Sequence, residues 1–146
     1  MYDRILVPTD GAPGIERVIS HAGELATVHG AVVEFVYVVD SGTVASLPVE
    51  SSWEGVAEML REEGESSLAS AAETVTDAHP SLEVERTMLE GTPAGEVVRY
   101  ADRSEADLIC MGTHGRGGLN RLLLGSVAER VVRASEVPVL TVRVSE

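Results

Sequence analysis

Lysine is absent from this 146-residue chain, so all 11 basic side chains are arginine, set against 24 Asp and Glu for a formal net charge of -13. A chain this acidic repels phosphate backbones, which excludes nonspecific nucleic-acid binding. The same charge suits a salt-rich cytoplasm, where screening relieves self-repulsion. Cysteine is nearly absent: the lone Cys110 rules out an internal disulfide framework and points to an intracellular, cytoplasmic protein. Aromatics are only 3%, so Val, Leu, Ile and Ala must build the core, a composition that suits buried parallel strands. No apolar run approaches the roughly 18 residues of a membrane span. Residues 1–10 carry neither the basic lead nor the cleavage site of a signal peptide.

What is present alternates between two periods. Tyr2–Val7 is a short apolar run ending at Pro8. Ile15, Val18, Ile19, Ala22, Leu25 and Ala26 recur three and four apart, on one helical face that Gly30 stops. Ala31–Val39 is a second strand, and Ser41–Ser52 reads as a loop. A long helix covers Trp53–Ala78, with Gly64 weakening its middle. Leu82, Val84 and Met88 alternate with polar residues as an edge strand with one wet face. Thr92-Pro93 opens a helix whose inner face is Ala94, Val97, Val98 and Ala101. Ala106–Met111 is a fourth strand, a Gly-rich loop follows, and a helix over Ser126–Ala134 precedes a last strand, Val137–Val144. Strands alternating with helices imply one α/β domain over residues 1–146, with a parallel sheet covered on both faces. Ligands of such sheets bind beyond the strand C-termini, where strand order reverses. Pro8-Thr9-Asp10-Gly11 and Gly112 onward share one crevice if strands one and four are neighbours.

The chemistry sits in the second of these segments. Gly112, Gly115, Gly117 and Gly118 let backbone N–H groups approach an anion closely, and Gly125-Ser126 stands at a helix N-terminus, which adds free N–H groups and partial positive charge. Ser126 has the chemistry both to cap that helix and to donate to a phosphate oxygen. A plain turn with a serine cap is the alternative. No Gly-Lys-Ser/Thr is present, so this is not a Walker loop. Arg116 and Arg121 offer charge for a phosphate, Asp10 either caps the first helix or meets a ligand, and Cys110 reads as inert core. His21, His29 and His79 lack metal-ligand spacing.

Gly112, Gly115, Gly125 and Ser126 form Gly-x2-Gly-x9-Gly-Ser. This resembles the ATP-binding signature of the universal stress protein family, and the similarity runs through Ile5–Gly11, Val36–Asp40, Ala106–Gly112 and Val137–Arg143. Ala12-Pro13-Gly14 departs from it, where many members carry serine-rich residues. The resemblance implies a Rossmann-like five-stranded parallel sheet in the order 3-2-1-4-5. It also implies ATP, with Mg²⁺, as ligand. Pro8, Thr9, Asp10 and Val38 would line the adenosine end, and Met111 and Gly112 the ribose. Gly115, Gly125, Ser126 and Val127, with Arg116, would hold the phosphates. A homodimer through Val137–Val144 follows from family habit and from the edge such a strand exposes. A regulatory binding module competes with a slow ATPase or phosphotransferase. Turnover needs a metal, cationic stabilisation and a positioned nucleophile, and the chain offers Arg116 but no evident base. An AMP-binding or ligand-free dimeric scaffold is the third reading.

Overall fold

Every strand of the sheet runs parallel to its neighbours, in the order β3-β2-β1-β4-β5. The computed structural model describes residues 1–45, 53–114 and 124–144. The strands are β1 (Arg4–Pro8), β2 (Val32–Asp40), β3 (Val84–Gly91), β4 (Leu108–Gly112) and β5 (Val139–Val142). The helices are α1 (Ile15–His29), α2 (Ser41–Ala45), α3 (Trp53–Ala78), α4 (Pro93–Arg103) and α5 (Ser126–Ala134). The chain climbs from β1 through β2 to β3, then crosses to β4 on the far side of β1, so strand order reverses between β1 and β4.

Strand alternation sends side chains to opposite faces, and two cores result. On one face Ile5, Val7, Val33, Phe35, Val39 and Cys110 pack against Val18, Ile19 and Ala22 of α1 and Leu68, Ala71 and Val75 of α3. On the other, Leu6, Val36, Ile109 and Met111 pack against Ala94, Val97 and Ala101 of α4 and Ala128 and Val131 of α5. Nearly uninterrupted β-branched and aliphatic residues in β1, β2 and β4 follow from burial on both faces.

Three expectations are corrected. Ser41–Ala45, read as loop, is a short helix, and the rest of that segment lies outside the described residues. The last strand is shorter than 137–144, since only Val139–Val142 pair with β4. Gly64 does not merely weaken α3. It is buried, and a Cβ there would stand 2.6 Å from Tyr37 Cδ1 and 2.8 Å from Met88 Cε, so its lack of side chain lets α3 lie close on β2 and β3.

One carboxylate breaks the apolar pattern of the second core. Glu34, in β2, is 2% exposed. It accepts from Arg4 Nη1 at 2.7 Å, from Thr87 Oγ1 at 2.7 Å and from the Tyr100 hydroxyl. Arg4 also bridges to Glu85 at 2.7 Å. Three donors are what a buried carboxylate needs in place of water.

Candidate functional site

The β1 end is built from short-range turns. Thr9, 7% exposed, donates its N–H to the Val36 carbonyl at 2.8 Å, which carries β1–β2 pairing one residue past the strand. Gly11 N–H donates to Thr9 Oγ1 at 3.2 Å, and Ala12 N–H to Asp10 Oδ1 at 3.0 Å. Asp10 therefore shapes its own loop and does not cap α1. The α1 cap position belongs to Gly14, at φ 90°, with no side-chain cap. Gly11 also takes positive φ, 75°, a conformation that glycine adopts without steric cost.

The β4 end leads to α5. Gly125 N–H donates to the Thr113 carbonyl at 2.7 Å, so the start of α5 is tied to the residue that follows β4. The cap residue of α5 is Gly125, with extended backbone and no side-chain cap; Ser126 is the first helical residue. This corrects the serine-cap expectation. Gly125 thus supplies no capping side chain to the first N–H groups of α5, beginning with Ser126 and Val127. Ser126 and Val127 are exposed. An uncapped helix start of this kind presents partial positive charge to an anion.

Because β1 and β4 are hydrogen-bonded neighbours, Pro8-Thr9-Asp10 and Gly112 emerge side by side at the point of strand reversal. The structure thus brings Pro8, Thr9, Asp10, Gly112, Gly125, Ser126 and Val127 to one end of the sheet. Val38 packs half-buried on the second core, and Met111 is a buried member of it at 6% exposure. Gly112 serves packing as well: a Cβ there would stand 2.8 Å from Val144 Cγ2. Gly115, Arg116 and Arg121 lie outside the described residues. Cys110 is fully buried among apolar neighbours, and burial pushes its thiol up to about 12, which fits the inert reading. Among the described residues no three His, Cys, Asp or Glu side chains group to hold a metal ion.

Sequence reasoning missed two features. Thr113 uses all its polar groups to join β4, α5 and the chain's tail, and no motif marks it. The Glu34 cluster did carry a signal, a single carboxylate in the apolar run 31–39.

The universal stress protein family model matches residues 1–143. The chain is 43% identical over 143 residues to universal stress protein MJ0531 of Methanocaldococcus jannaschii, covering 98% of this chain and 83% of that protein. The solved structure of protein MJ0577, from the same organism, superposes with a TM-score of 0.87 at 31% identity, covering 100% of this chain and 99% of the other. A universal stress protein solved in complex with cAMP superposes with a TM-score of 0.72 at 26% identity, covering 99% and 98%. Among the described residues, no helix is long and apolar enough to cross a membrane.

Proposed function

Because the chain belongs to the universal stress protein family, we propose that it is a cytoplasmic ATP-binding regulatory module that works as a homodimer. The observation that carries this reading is the start of α5, whose cap residue is Gly125 with no capping side chain, at the sheet end where β1 and β4 diverge. Phosphates would be held there by the N–H groups of Ser126 and Val127, joined by Gly115 and Arg116 from the preceding loop. The adenosine would lie toward Pro8, Thr9, Asp10 and Val38, with its ribose against Met111 and Gly112. The cAMP complex of a 26% identical relative supports an adenine ligand for this fold.

Mg²⁺ would enter with the phosphates. Among the described residues no cluster of carboxylates is dedicated to a metal, which suits an ion held mainly by phosphate oxygens and water, with Asp10 a carboxylate at this end. The homodimer reading rests on β5, an edge strand whose Val139, Leu140 and Thr141 are partly exposed. Pairing with a second copy would satisfy that edge and give a two-fold assembly.

The test is direct. The purified protein is denatured, and released nucleotide is identified by mass spectrometry; added ATP is then followed for hours. Bound ATP that survives supports the module. Rapid conversion would make the protein an enzyme, and a chain that neither carries nor binds ATP would end the reading. A folded Gly115→Val protein is expected to lose ATP, because a side chain would stand where phosphate approaches.

A further inference from the structure

Thr113 is the junction of three elements. Its N–H donates to the Val142 carbonyl of β5 at 3.0 Å, and its carbonyl accepts from Gly125 N–H at 2.7 Å. Its hydroxyl oxygen accepts from Val144 N–H at 3.3 Å and lies 3.2 Å from His114 Nδ1. Val144 is fixed in turn by its side chain. It fills a notch between two glycines, where a Cβ at Gly14 would stand 2.1 Å from Val144 Cγ1 and one at Gly112 would stand 2.8 Å from Val144 Cγ2. Gly14 belongs to the segment that departs from the family pattern, and its role is to admit the tail.

We propose that the Thr113 hydroxyl is a positioning group for the phosphate end of the site, acting through the tail. The proposal rests on the ATP reading above. Gly125, the cap residue of α5, is held by the Thr113 carbonyl, and Thr113 is held in place by Val142 and Val144. The adenine end hangs on a separate frame, the Thr9 N–H bond to the Val36 carbonyl and the turns around Asp10, whereas Gly112, beside the ribose, shares the Val144 contact. Losing the hydroxyl therefore loosens one end of the ligand and spares the other.

Thr113→Val keeps the shape and removes the bond from Val144, along with the contact to His114 Nδ1. ATP affinity is expected to fall about three- to tenfold, the size of one hydrogen bond. Adenine affinity is expected to stay within about twofold, and Thr113→Ser to restore ATP binding. Global loosening would weaken both ligands together, and that outcome overturns the proposal, as does unchanged ATP affinity. If Thr113→Val does not fold, Val144→Pro removes the same bond from the donor side, together with part of the packing in the Gly14–Gly112 notch, and is read by the same ratio. Wild-type protein that binds neither ligand would sink the ATP reading itself and this proposal with it, whereas wild-type binding with an insensitive Thr113→Val sinks the proposal alone.

Discussion

The Tyr100 hydroxyl, on α4, is hydrogen-bonded to the Glu34 carboxylate in β2, and Arg4 of β1 meets the same carboxylate at 2.7 Å. One buried acid thus ties a helix to two strands, with Thr87 of β3 adding a further bond.

Arg4→Met leaves Glu34 with hydroxyl donors only. Breaking a buried pair from one side costs about 3–5 kcal/mol, and Arg4 keeps 25% exposure, so we expect about 2–4 kcal/mol from urea unfolding. Replacing both partners, as Arg4→Met with Glu34→Met, should recover part of that loss, since apolar packing substitutes well for a buried pair while the Thr87 and Tyr100 hydroxyls lose their shared acceptor and keep each other at 3.3 Å. A single variant as stable as wild type would contradict this account of the cluster.

Tyr100→Phe tests the same acid through pH. Burial, then the bond to Glu34, raises the Tyr100 pKa above the usual tyrosine range. The folded state therefore holds its proton more tightly than the unfolded chain does. That contribution is complete below about pH 10 and is lost as pH rises through the folded value. Wild-type stability should fall more steeply than that of Tyr100→Phe above about pH 10. Parallel alkaline profiles would show that Tyr100 carries no such linkage.

Gly64→Ala should reverse the ordinary helix rule. An exposed mid-helix glycine gains about 0.5–1 kcal/mol on becoming alanine. Here the new methyl would meet the Tyr37 ring 2.6 Å away, and overpacking costs about 1–3 kcal/mol. A thermal melt that rises on this substitution would mean that α3 shifts freely on the sheet.

Cys110 should resist alkylation. A thiol pushed up to about 12 and shielded from solvent gives almost no thiolate at pH 8. Iodoacetamide labelling is expected only as fast as the protein unfolds; prompt labelling of folded protein would expose an opening route to β4.

Salt should stabilise the fold. With a net charge of -13, the compact state carries strong self-repulsion that molar KCl screens. Equal melting temperatures in low salt and molar KCl would remove any link between this acidity and a saline cytoplasm.

Much of this architecture was legible in the residues. The bounds of α3 and α5 coincide with Trp53–Ala78 and Ser126–Ala134, because Gly, Pro and apolar spacing act locally. Strand order came from the resemblance, since periodicity reports which face is buried but not which strand lies beside which. The sequence points to Ser126 as the cap of α5, one residue after the true cap, Gly125. Serine is the common cap, yet Gly125 has the extended backbone there and ties its N–H to the Thr113 carbonyl. Glu34 and Thr113 escaped because their partners are distant in sequence: Tyr100 lies 66 residues from Glu34, and Val144 lies 31 from Thr113.

The seat of Val144 between Gly14 and Gly112 has a consequence for how the protein is made. A nascent chain that has emerged only as far as β4 already has its first loop and central strands, but Thr113 then lacks both Val142 and Val144. The Thr113 carbonyl that holds Gly125 is therefore set in its final place only once residues 142–144 have docked.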